Sequence, residues 1–385
     1  MWVKHNKILL SKILLLLVIL LLSGLTASGC IEGLQPIGWS GVAIADGTLF
    51  VGSKEGRLIA IDANGARQWS EPLRAPSQDG GFGCAPAYGG GGCTGAPAGV
   101  AIYGTPAVAG DLVYIGGYNG KIYAFNSSSL EIRWVYPRED YLKPIVGGLA
   151  VALDTVYFGS SNGKVFALDA ATGDREWEFQ TGDKIWSTPT VDGHTLFIGS
   201  FDKKLYALDA TDGSKRWEFP TEGAIASTPL VYENTVYVGS FDRHLYAIDA
   251  IDGSLRWKFM AENWFWAKPI VYNNTIYAGC LDHKVYVLDA QNGNKVAEFD
   301  LGSPVSSPPV LVDSSIIFAS QQGMVYALDT GSNKLKRLAE LEEEIYGPLC
   351  VSDGIVYIHT QDLTLHQVDA KTGAKLATIS LKGSE

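Results

Sequence analysis

After residue 30 the chain is written in short apolar runs closed by turn formers rather than in long amphipathic stretches. One segment shows the pattern: Ser227-Thr228-Pro229-Leu230-Val231-Tyr232, Thr235-Val236-Tyr237-Val238-Gly239-Ser240, His244-Leu245-Tyr246-Ala247-Ile248-Asp249 and Leu255-Arg256-Trp257-Lys258-Phe259. Each run has strand length, and the residues between them favour turns. The second and third runs are apolar at almost every position, which predicts strands covered on both faces. The fourth alternates Trp and Phe with Arg and Lys, which predicts a partly solvated edge. Helices would need apolar positions 3.6 residues apart, and that spacing is missing.

The pattern repeats. Asp169, Asp209, Asp249, Asp289, Asp329 and Asp369 fall at a constant spacing of 40, and Asp62 and Asn126 extend the series upstream to eight units. Four strands in each of eight units predict an all-β chain, an eight-bladed β-propeller of four-stranded antiparallel blades. The propeller is expected over residues 38–381, with an insertion at about 71–100 and no room for a second domain. Within the unit, Asp169-Gly173-Trp177 recurs as Asp209-Gly213-Trp217 and Asp249-Gly253-Trp257. The Asp carboxylate accepts from amides just downstream, Gly supplies a positive φ, and Trp offers a broad face to the neighbouring blade. Ala297, Arg337 and Ala377 stand at the Trp position in the last three units, whose contacts should be less uniform.

Composition agrees with short strands and tight turns: 44 Gly, 16 Pro, 18 Tyr, 14 Phe and 10 Trp. A net charge of −11 argues against a nucleic-acid partner. Lys4, Lys7 and Lys12 precede an apolar run from Ile13 to Leu22, and small residues then lead to Cys30, the layout of an export signal over residues 1–29. Export permits oxidation, so Cys84 and Cys93, which bracket a Gly-rich stretch, are expected to form a disulfide. Cys280 and Cys350 lie in strand-like runs and are expected to be free thiols. His244 and His283 read as loop histidines, and no metal site is expected.

Leu205-Tyr206-Ala207-Leu208-Asp209-Ala210, followed by Gly213 and Trp217, resembles the unit of the PQQ-repeat (pyrroloquinoline-quinone-like) propellers. Ala27-Ser28-Gly29-Cys30 resembles a bacterial lipobox. Together they make the chain similar to the BamB-type scaffold lipoproteins of that superfamily. The resemblance implies lipidation of Cys30, a tether over residues 30–37, and export to the extracytoplasmic side, either the periplasmic face of an outer membrane or the cell surface. It implies a monomeric protein-binding scaffold held on the membrane, with another envelope or surface protein as partner and outer-membrane protein assembly as the process where the host has an outer membrane. A PQQ-dependent dehydrogenase-like oxidoreductase is the alternative. Such enzymes carry an adjacent cysteine pair, absent here, and no calcium set is assignable, so no cofactor is expected. Gly-x-Ser-x-Gly, Walker and His-Glu-x-x-His motifs are also missing, and no enzyme is expected.

In a propeller the loops between blades and those between second and third strands share one face. They carry Trp186, Phe201, Asp202, Phe241, Asp242, Arg243, Trp264, Phe265, Trp266 and Tyr346, the expected partner contacts. Aromatics among charges suit protein docking. They also leave open a carbohydrate-binding surface module.

Overall fold

The second and third runs of each unit are apolar on both sides, so a single sheet of this sequence cannot bury its own faces and must be sandwiched between two others. The computed structural model describes residues 40–62, 65–73 and 100–382, and shows how this is done. Cys30, the tether, and Cys84 and Cys93 lie outside the described residues. Eight four-stranded sheets follow one another in the chain, each in simple first-to-fourth antiparallel order. We number these blades 1 to 8, spanning residues 42–69, 107–136, 150–180, 190–220, 230–260, 270–300, 310–340 and 350–380. Blade 5 has strands Leu230–Tyr232, Thr235–Gly239, His244–Asp249 and Leu255–Met260, matching the runs read from the sequence. No helix occurs among the described residues.

The core lies between blades. Tyr237, Leu245 and Trp257 of blade 5 pack in one cluster with Ile276, Ala278 and Tyr286 of blade 6. The ring closes the same way: Val42, Val51 and Ile59 of blade 1 share a cluster with Leu365 of blade 8. Among the described residues, no strand is exchanged between the first and last blades. His359 of blade 8 instead reaches the Ser40 carbonyl at 2.8 Å, and the Arg67 guanidinium donates to the Ser380 carbonyl.

The repeated Asp, Gly and Trp form one device at the four junctions from blade 2 to blade 6. Asp209 Oδ1 accepts from the Thr211 amide at 2.8 Å and sets the turn. Gly213 then takes φ +73°, and a Cβ there would lie 2.6 Å from the Trp177 ring of the preceding blade. Trp177 Nε1 donates to the Ala210 carbonyl at 3.0 Å. The same bond runs from Trp134 to Ala170, Trp217 to Ala250 and Trp257 to Ala290. Glycine is therefore required twice over, for its backbone angle and for the ring laid against it.

At the junction of blades 6 and 7 the indole is lost and the turn changes with it. Ala297 replaces Trp in blade 6, and the facing turn of blade 7 holds Asn333 at φ 52° in place of Gly. Blade 7 also shifts its bulge to between Val325 and Tyr326, whereas blades 2 to 6 and blade 8 place it directly after the residue equivalent to Ala327. Lys336, not the expected Arg337, thereby faces Ala327 in the Trp position.

Candidate functional site

Backbone bonds knit the two sets of loops into one face. The Phe201 amide, between the second and third strands of blade 4, donates to the Lys184 carbonyl of the loop entering that blade, and the Leu281 amide likewise to Trp264, both at 3.0 Å. Side chains on this face form a continuous aromatic row. Trp186 meets Phe201 edge-on at 4.7 Å, Phe201 meets Phe241 at 5.7 Å, and Phe241 stacks on Trp264 at 4.4 Å and on Trp266 at 5.4 Å. The row spans three blade junctions. Phe201, Phe241, Trp264 and Trp266 remain partly exposed, whereas Trp186 is 8% exposed and anchors one end.

Lys184 belongs to the row and is absent from the residues picked out by sequence. Its ammonium sits 4.4 Å from the Trp186 ring centre and 4.5 Å from that of Phe201, a cation–π arrangement. The signal was readable: Lys184 and Trp186 flank the buried Ile185 as Trp264 and Trp266 flank Phe265. A second aromatic group lies on the loops of blades 1 to 3, where Tyr103 and Tyr118 pack at 5.3 Å and Lys121 lies 4.4 Å over Tyr141.

The other expected contact residues lie outside the row. Phe265 is 1% exposed and fills the repeat position of Ile185, Ile225, Val305 and Ile345, wedged under Gly239; it is a core residue. Asp202 Oδ2 accepts from the Gly182 amide and from the Tyr206 hydroxyl. Asp242 repeats this with Glu222 and Tyr246, and its side chain is only 6% exposed. Burial works against its charge, but the Tyr246 hydroxyl and the Glu222 and His244 amides hold the Asp242 carboxyl below the ordinary carboxylate range. These two carboxylates fasten loop to loop. Arg243 is exposed at φ 72° and lines a groove of about 470 Å³ with Phe259, Met260, Glu262 and Lys284. Tyr346 bonds Glu344 at 3.0 Å, and no ring contact among the described residues joins it to the row.

Cys280 and Cys350 are free thiols, and burial pushes Cys280 up to about 12. No group of three or more His, Cys, Asp or Glu among the described residues could hold a metal ion, and the sequence has no adjacent cysteines. His244 Nδ1 instead lies 3.2 Å from Asp242 Oδ1.

Comparison with known proteins agrees with this architecture. Residues 32–184 match the family model of the outer membrane protein assembly factor BamB. No curated protein matches the chain. Among solved structures, BamB from Moraxella catarrhalis superposes with a TM-score of 0.66 at 18% identity, covering 83% of this chain and 92% of that one. The computationally designed Ika8 protein does so with 0.68 at 14%, covering 88% and 95%. Residues 148–384 match the family model described as beta-alanine-activating enzyme, beta-propeller, and on that match, which spans more than half the sequence, the chain belongs to this β-propeller family, with PQQ-type, BamB-like blades.

Proposed function

We propose that the chain is a protein-binding scaffold: a propeller tethered through a lipid on Cys30 to the extracytoplasmic side of a membrane, docking another envelope protein on its aromatic face. The observation that carries this reading is the row from Trp186 to Trp266. Stacked rings left partly exposed across three junctions supply broad contact area with little rotamer freedom to lose, the chemistry of an interface centre. In a host with an outer membrane, the assembly of outer-membrane proteins is the process proposed, since the relative is named as a factor in it. The family description speaks of an enzyme; no nucleophile elbow or phosphate loop in this sequence supports carrying that activity over.

A photo-crosslinking residue at position 241, compared with one at 371 on a turn between third and fourth strands, tests the reading in whole cells. Crosslinks from 241 to an envelope protein should disappear in a Trp264→Ala, Trp266→Ala double variant, with a stability loss of about 1–2 kcal/mol for these partly exposed rings. Crosslinks that persist in the double variant, or a collapse of the fold, would remove the row from the docking role.

A further inference from the structure

Four junctions of this propeller are closed by the chain's own tryptophans, and they define what fits such a place. Trp257, for example, stands opposite Ala247 and donates to the Ala290 carbonyl at 3.0 Å, with the Tyr237 hydroxyl on the same carbonyl at 2.9 Å. The junction of blades 7 and 8 keeps the alanines and lacks both donors. Ala327 and Ala370 occupy the equivalent positions, but the exposed Lys336 faces Ala327, and Ile317 stands where Tyr237 would. No indole or phenol reaches the Ala370 carbonyl among the described residues. The blade 7 bulge carries the Leu338 carbonyl against Gly373, so backbone fills the part of the indole place over the turn glycine. A groove of about 640 Å³ remains, with Val312, Ala327, Leu338 and Ala370 in its wall and Lys334 and Lys336 along it.

The charges of the groove are unbalanced in one direction. Lys371 pairs with Asp313 at 3.3 Å, and Asp329 Oδ1 is taken by the Ser332 amide and hydroxyl. Lys336 forms no ion pair among the described residues, whereas Lys334 stands opposite Asp329 and helps to hold that carboxyl below the ordinary range. We propose that this groove receives a tryptophan side chain from an acidic segment of a partner protein, its ring between Ala327 and Ala370, its N–H on the Ala370 carbonyl, and neighbouring carboxylates on Lys334 and Lys336. The occupant is the one the same fold places at four other junctions, supplied in trans. The site is separate from the aromatic row and stands without it.

The probe is a labelled peptide, acetyl-Glu-Asp-Trp-Glu-Glu-amide, titrated against the purified propeller by fluorescence anisotropy. Binding should weaken with salt and fall at least tenfold when the peptide Trp is Ala. Lys336→Trp supplies the ring within the chain, and should raise the melting temperature and cut binding at least tenfold. Lys334→Ala with Lys336→Ala, which leaves the core untouched, should weaken binding and flatten its salt dependence. Trp264→Ala should bind as the parent does. Equal binding of the Trp and Ala peptides, undiminished binding by Lys336→Trp, or loss in Trp264→Ala would each overturn the proposal. N-acetyl-tryptophanamide binding as tightly as the peptide would make the groove a small-molecule site and overturn the protein partner.

Discussion

A glycine in this propeller answers to one constraint or to two, and the difference is measurable. Gly193 has φ +56° with nothing within 4 Å of a Cβ placed there, whereas Gly213 combines φ +73° with a Cβ position 2.6 Å from Trp177. Alanine at position 193 should cost only the left-handed backbone penalty of roughly 1–2 kcal/mol. At position 213 the Trp177 ring must also give way, which adds about 1–3 kcal/mol. Guanidinium denaturation of the two variants reads the difference directly, and equal losses would show that the indole moves aside freely. The Asp-Gly-Trp unit was legible because each member answers to a local need, a turn amide, a backbone angle or a flat surface, and local needs recur in sequence. Phe265 was misassigned for the opposite reason. Its aromatic neighbours drew it into the exposed set, while its register with Ile185 and Ile225 put it under Gly239.

The four blades whose last-strand Trp bonds an alanine carbonyl of the next blade differ in one acceptor. The carbonyls of Ala170, Ala210 and Ala290 each receive a Tyr hydroxyl besides the indole N–H, from Tyr114, Tyr157 and Tyr237. Blade 4 has Phe197 in that place, so the Ala250 carbonyl depends on Trp217 alone for a side-chain donor, at 3.1 Å. Both Trp217→Phe and Trp257→Phe lose similar packing, but only the first leaves a carbonyl without a side-chain donor, which costs about 1–3 kcal/mol when such a group is shut away from water. Trp217→Phe should therefore be the more destabilising by roughly that amount in matched urea unfolding curves. Identical curves would mean that water reaches Ala250 and makes up the bond. Strand positions and blade number were readable because a period of 40 constrains all four strands at once. The shifted bulge of blade 7 was not: a one-residue register change leaves the sequence spacing intact and turns Lys336 rather than Arg337 toward Ala327.

The ring as a whole has one junction that the repeat does not write. At Gly159, Gly199, Gly239 and Gly279 a side chain of the next inter-blade loop presses on the glycine, Ile185, Ile225, Phe265 and Val305 in turn. Blade 8 has His359 there, 2% exposed, with Nδ1 on the Ser40 carbonyl of the segment entering blade 1 and Nε2 without a partner. Burial pushes the His359 imidazole below its ordinary value; the Ser40 carbonyl and Asp362 oppose this, and Lys54 adds to it. The unfolded chain, with histidine near about 6.5, then binds the proton more readily than the folded ring, so closure is fully stable above that pH and loses stability as pH falls through it toward the folded value. One such proton gives a slope of at most about 1.4 kcal/mol per pH unit. His366, also buried and depressed despite Glu343 at 3.6 Å, adds a slope of the same sign. Turn carboxylates such as Asp249, held below the ordinary range by Arg256 and the Ile251 amide, add theirs only below about pH 4. Denaturation midpoints at pH 7.5, 6.5 and 5.5 should accordingly fall in the parent and fall less steeply in His359→Gln, with the residual slope belonging to His366. Parallel curves would show that the imidazole keeps its proton balance on unfolding, and that packing between blades 1 and 8 closes the ring without help from the Ser40 bond.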